Sequence, residues 1–128
     1  GLNGFDGTLL ESTYLDKETY GFVGEVTNVN TALLDALTAA GIVPVIACIG
    51  ATKEGQALNI NGDTVASEIA LAVKAESLLL VTDVSGIRIN DEYQKEVTEA
   101  HINGWIEEGH IYGGMIPKVC QIKRERGE

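Results

Sequence analysis

Apolar and polar positions change rhythm repeatedly along this chain, and each change predicts an element. Thr8 to Tyr14 and Tyr20 to Val26 alternate, which predicts two strands joined as a hairpin by the polar stretch Leu15-Asp16-Lys17-Glu18-Thr19. Asn28 or Asn30 can cap a helix running through Ala40, with Leu33, Leu34, Leu37 and Ala40 on one face and Gly41 as the stop. Val43 to Ile49 is a continuous apolar run, the pattern of a buried parallel strand. Thr52-Lys53-Glu54-Gly55 reads as a turn and Gln56 to Ile60 as a short strand. A helix follows from near Asp63 to about Val73, with Val65, Ile69 and Val73 as its buried stripe beside Ala66 and Ala70. Leu78 to Val81 is a second buried strand. Thr98 caps a helix through Glu108 with Ile102, Trp105 and Ile106 inward, and Gly109 stops it. A last helix is expected from about Met115, with Ile116, Val119 and Cys120 inward, before the charged tail from Lys123.

Strands alternating with helices predict an α/β fold: a three-layer sandwich with a mainly parallel central sheet and a β-hairpin appendage, residues 1–128 forming a single domain. The glycine-punctuated run Gly1 to Gly7 reads as a surface loop. It is not a GxGxxG, and no Walker A lysine motif occurs.

Charge narrows the function. The formal net charge of −10 argues against nucleic acid, which needs clustered Lys and Arg, and against anionic membranes. No apolar run approaches the ~20 residues of a membrane span, and no signal peptide is visible, so a cytoplasmic protein is expected. Cys48 and Cys120 lack metal-ligand spacing and sit in apolar patterns, which reads as reduced core thiols. Gly1 is not an initiator methionine, and a cut or cloned N-terminus is expected.

Three windows carry the chemistry. Leu58-Asn59-Ile60-Asn61-Gly62-Asp63-Thr64 is a strand delivering polar side chains to a helix start, where amides and the helix dipole favour an anion. Leu78 to Ile87 runs from an apolar strand into the polar turn Asp83-Val84-Ser85-Gly86. Gly113-Gly114-Met115-Ile116-Pro117-Lys118 opens a helix with a lysine in its first turns, where a cation gains nothing from the dipole unless an anion is near. In a mainly parallel sheet all three lie beyond strand carboxyl ends, the usual place for a ligand. Carboxamides, two acids, glycine amides and a lysine suggest phosphate handling. Each residue also has a plainer reading: Asp63 as an N-cap, Asn59 as an edge-strand polar residue, Asp83 as a turn cap, Lys118 as a solvated helix lysine. His101 reads as a surface helix residue.

These windows, with Gly21-Phe22-Val23-Gly24-Glu25-Val26 and Pro44-Val45-Ile46-Ala47-Cys48-Ile49-Gly50, resemble the amino-acid kinase family, and within it the branch that phosphorylates N-acetyl-L-glutamate in arginine biosynthesis. The resemblance runs from Gly1 to about Val119 and covers only the later part of such a kinase. The family's N-terminal strand with its lysine and glycine-rich loop, its substrate Gly-Gly loop and arginine, and its last strands have no counterpart here. The resemblance implies ATP and Mg²⁺, the metal held mainly through the nucleotide, and transfer of the γ-phosphoryl to the substrate's γ-carboxylate. It implies Lys118 as the charge stabilising the phosphoryl and Asp63 as the acid that positions the lysines. Asn59 is implied to bind acetylglutamate, with Asn61 beside it. The nucleotide falls to Asp83, Val84, Ser85, Gly86, His110, Ile111, Tyr112, Gly113 and Gly114. No protein metal ligands are implied, and the full-length protein is expected to be a homo-oligomer. Two alternatives stand beside it: another member acting on aspartate, glutamate, carbamate or UMP, or a non-catalytic nucleotide-binding regulatory module. The chain by itself is expected to be inactive.

Overall fold

The computed structural model describes residues 1–83 and 85–111. The described chain is mixed α/β and falls into two compact units, one spanning Gly1–Ser77 and one beginning at Leu78. The expected last helix, with Met115, Ile116, Val119 and Cys120, lies outside the described residues.

In the first unit, β1 (Leu10–Tyr14), β2 (Gly24–Val29), β3 (Ile49–Ala51) and β4 (Ala57–Asn59) form one sheet in the order β2-β1-β3-β4. β1 pairs antiparallel with β2, parallel with β3 at Glu11 and Ala51, and β3 pairs antiparallel with β4. The sheet is therefore mixed rather than mainly parallel, because a tight turn at Thr52–Gly55 can only return the chain antiparallel. The hairpin is no appendage: β1 lies inside the sheet, with Leu10 fully buried. A short helix, α1 (Lys17–Tyr20), fills its connection, capped by Asp16 accepting from the Glu18 and Thr19 amides.

The run Val43 to Ile49 also differs from expectation. Only Ile49 belongs to a regular strand, and Val43 is 82% exposed and Val45 68%. The run pairs with the N-terminal residues all the same, through a parallel bridge between Leu2 and Ile46. The Leu2 amide donates to Val45 O at 2.7 Å, Ala47 to Leu2 O at 2.8 Å and Gly4 to Ile49 O at 2.7 Å. The N-terminal glycine run is thus partly sheet-like rather than a surface loop. Gly4 is buried so tightly that a Cβ there would meet Ile49 O at 2.5 Å.

Two helices pack on this unit. α2 (Thr31–Ala39) takes Asn30 as its N-cap, the Asn30 Oδ1 accepting from the Leu33 amide, and Gly41 follows at φ 75°. α3 (Gly62–Ala72) takes Asn61 as its N-cap. Leu9, Leu10, Leu34, Ile60 and Val65 form the core, with Ile46, Cys48 and Ile69 against it. Ala40 and Val73, expected inward, are exposed because both fall at the C-cap, past the last packed turn.

The second unit is small. Leu78 to Val81 is not a strand in the structure; Leu79 is 84% and Val81 87% exposed. A hairpin the sequence reading did not identify joins β5 (Arg88–Ile89) to β6 (Glu92–Tyr93) through Asn90 and Asp91, both at positive φ. That is the backbone a two-residue hairpin turn demands, and Asn and Asp tolerate it. α4 (Glu99–Glu107) is capped by the Thr98 hydroxyl accepting from the His101 amide, and Gly109 follows at φ 76°. Ile89, Ile102 and Ile111 form its core, with Trp105 and Ile106 partly buried against it. No helix among the described residues is long and apolar enough to cross a membrane.

Candidate functional site

The strand-to-helix junction at residues 58–64 is the best-defined part of the site. Leu58 and Ile60 point inward and are almost fully buried, which turns the side chain of Asn59 outward. The backbone of Asn59 is held on two sides. It faces Ile49 across the β3–β4 ladder, and its amide donates to Phe22 O at 2.8 Å, with a parallel bridge to Val23. The Ile60 amide donates to Cys48 O at 3.1 Å, so the chain leaves the sheet anchored up to the residue before the cap.

Asn61 then spends its side chain on the helix. Its Oδ1 accepts from the Thr64 amide at 3.1 Å, and its carbonyl from the Val65 amide at 3.0 Å. Asp63 is therefore not the N-cap. It sits half-buried in the first turn of α3, one position past Gly62. A carboxylate there complements the positive end of the helix dipole. The amide end that the sequence suggested for an anion thus carries its own negative charge.

The sequence-predicted residues of the second unit are described separately. Asp83 and Ser85 are exposed, and the Thr82 hydroxyl donates to Asp83 Oδ1 at 3.4 Å. Gly86 adopts φ 144°, which a residue with a Cβ rarely does. His110 is half-buried. Its Nε2 lies 3.5 Å from Glu108 Oε2, and its amide donates to Trp105 O at 2.8 Å. The side chain of Ile111 is packed in the core, so what it can offer a ligand is backbone. His101 is exposed, as expected, and stacks on Trp105 at 5.3 Å. Val84, Tyr112, Gly113, Gly114 and Lys118 lie outside the described residues. Among the described residues no three His, Cys, Asp or Glu side chains converge as a metal site.

Within the first unit the structure places Asn59 at the end of β4, Asn61 at the cap of α3 and Asp63 in its first turn. Sequence reasoning missed that Asn61 is the cap. Its signal was spacing, since Asn61 stands three residues before Thr64, the position whose amide a cap satisfies.

The model of the amino acid kinase family matches residues 1–123. The chain belongs to the amino acid kinase family. Two curated relatives from that family are named acetylglutamate kinase. The one from Halalkalibacterium halodurans is 48% identical over 119 residues, spanning 93% of this chain and 46% of the relative. That from Bacillus licheniformis is 46% identical over 123 residues, 96% of this chain and 48% of the relative. The chain thus spans about half the length of the curated relatives it matches. Among solved structures, a Streptococcus mutans protein superposes with a TM-score of 0.85 at 36% identity, over 88% of this chain and 46% of that one. The N-acetylglutamate synthase of Neisseria gonorrhoeae shares the fold, with a TM-score of 0.79 at 20% identity.

Proposed function

We propose that this chain is part of a kinase that transfers the γ-phosphoryl of ATP to the γ-carboxylate of N-acetyl-L-glutamate. The observation that carries the reading is the junction before α3, where Asn61 does the capping and Asp63 stands half-buried in the first turn of the helix. Likeness to acetylglutamate kinases across nearly the whole chain supports the choice of substrate. The substrate carboxylate attacks directly, so the protein's part is positioning and charge neutralisation. Asn59, outward on a backbone held from two sides, serves as the acetylglutamate ligand, with the exposed Asn61 amide beside it. By the family resemblance Asp63 serves as the acid that positions phosphate-neutralising lysine, and Lys118 as a lysine that neutralises phosphate. Asp83 to Gly86 and His110 to Gly114 serve the nucleotide. Mg²⁺, when bound, neutralises phosphate oxygens and needs few protein ligands.

The test is a hybrid in which this chain replaces the matched stretch of the Halalkalibacterium halodurans acetylglutamate kinase, assayed by hydroxamate formation with Mg-ATP. Turnover on N-acetyl-L-glutamate is expected. Asp63→Asn should lower kcat by about a hundred- to thousandfold, as loss of preorganised charge stabilisation does. Asn59→Ala should act mainly on KM for N-acetyl-L-glutamate. A folded hybrid that prefers aspartate, glutamate, carbamate or UMP would replace the substrate assignment. One that binds nucleotide and transfers nothing would favour the regulatory-module reading.

A further inference from the structure

Asparagine is followed by glycine three times in this chain, at Asn3-Gly4, Asn61-Gly62 and Asn103-Gly104. Such a step can react with itself, because a glycine without a Cβ leaves its main-chain nitrogen open to the preceding carboxamide. The fold treats the three steps differently. The Gly4 amide donates to Ile49 O at 2.7 Å, and Gly4 is buried. Gly104 lies inside α4, where its amide is committed to the carbonyl one turn back. Gly62 is the first residue of α3, where a helix offers an amide no internal partner. Among the described residues its amide donates to nothing. Asn61 and Gly62 are both exposed, and a Cβ built on Gly62 meets nothing within 4 Å.

The cap activates the other reactant. Asn61 Oδ1 accepts from the Thr64 amide at 3.1 Å and from the Thr64 hydroxyl at 3.5 Å. These donors draw charge from the carboxamide carbon and stand where the oxyanion of a tetrahedral intermediate forms.

We propose that Asn61-Gly62 is a self-modification site of the folded chain. The Gly62 nitrogen bonds to Asn61 Cγ, the Cγ–Nδ2 bond breaks, and ammonia leaves with the Gly62 amide proton, giving a succinimide. Water then opens the ring. Attack at Cγ leaves aspartate. Attack at the main-chain carbonyl leaves isoaspartate, whose backbone runs through the former side chain. Aspartate keeps an acceptor for the Thr64 amide, whereas isoaspartate adds a methylene to the main chain at the cap. Both place a new negative charge close in sequence to Asn59. The inference rests on this chemistry and not on the catalytic reading, and its test uses no activity.

The full chain is held at physiological temperature in mildly alkaline buffer. Samples are mapped by proteolysis and mass spectrometry, with isoaspartyl methyltransferase labelling isoaspartate. The peptide carrying Asn61 should gain one mass unit and take the label well before the peptides carrying Asn3 and Asn103. In urea the three steps should react at similar rates, since unfolding frees the Gly4 and Gly104 amides. Gly62→Ala should keep the parent's melting temperature, because the added methyl has open space. It should slow the change at residue 61 severalfold, because that methyl crowds the attacking nitrogen. Three results overturn the proposal: Asn61 unchanged in the folded chain over a period in which the urea-unfolded chain reacts, Asn3 or Asn103 reacting as fast as Asn61 in the folded chain, or a Gly62→Ala variant that reacts as fast as the parent.

Discussion

Gly50, in the middle of β3, offers the sharpest quantitative test of the packing behind the candidate site. A Cβ built there would lie 2.1 Å from Ser12 Oγ, 2.7 Å from Ser12 Cβ and 2.6 Å from Ile60 Cδ1. Carbon atoms rest at about 3.5–4.0 Å, so Gly50→Ala forces overlap with two residues at once. Neither can retreat easily. Ile60 is 2% exposed, and Ser12 is buried with its hydroxyl donating to Leu10 O at 3.1 Å. Overpacking of this kind costs about 1–3 kcal/mol, and losing the Ser12 hydrogen bond adds about 1. Reduced freedom of the unfolded chain returns about 0.4–1, giving a net loss of about 2 kcal/mol. In a unit the size of Gly1–Ser77 that lowers Tm by about 8–16 °C. Urea unfolding followed by far-UV circular dichroism measures it, and Ser12→Gly in the Gly50→Ala background should recover about 1 kcal/mol as a coupling energy. A loss under about 0.5 kcal/mol, or no coupling to Ser12, refutes the packing argument.

Other outcomes follow from single contacts. Asn61→Ala should cost about 1 kcal/mol in urea titration while Asn61→Asp costs far less, because a carboxylate can also accept from the Thr64 amide. Ser67 Oγ is fully buried with no hydrogen-bond partner among the described residues, so Ser67→Ala should raise stability by about 1 kcal/mol; a lower melting temperature would mean that the hydroxyl is satisfied. The Thr19 hydroxyl, with the Thr19 and Glu18 amides, holds the Asp16 carboxyl below its ordinary value of 3.8. The stability it adds to α1 is therefore present above that value and lost as pH falls through the lower folded one, and carbon-detected NMR titration should show Thr19→Val moving the pKa back up. The chain by itself should form no hydroxamate from Mg-ATP and N-acetyl-L-glutamate above background; clear turnover would refute the expectation of inactivity.

Local chemistry was the legible part of the sequence. Asn30 and Thr98 cap the helices expected of them, and Gly41 and Gly109 follow those helices at positive φ, because capping depends only on near neighbours. Burial of the apolar runs was not legible. Val43 to Ile49 and Leu78 to Val81 carry the composition of two-sided burial, but composition states what a strand requires and not what is present to cover it. Gly4 was misread for a related reason: its partner Ile49 is far along the chain, and nothing local announces so close an approach. At the site, the sequence placed Asn59, Asn61 and Asp63 correctly on a strand-to-helix junction. It offered only Asp63 as the cap and missed Asn61, although both side chains suit the task and only the end of the anchored strand at Ile60 separates them.

The double anchoring of Asn59 has an evolutionary consequence. Its backbone is fixed by Ile49 on one side and by the Phe22 carbonyl on the other, and its side chain contributes nothing to that hold. Replacements at residue 59 can therefore be sampled at small stability cost, with the new group presented from an unchanged position. The group presented at residue 59 can thus vary without rebuilding the sheet.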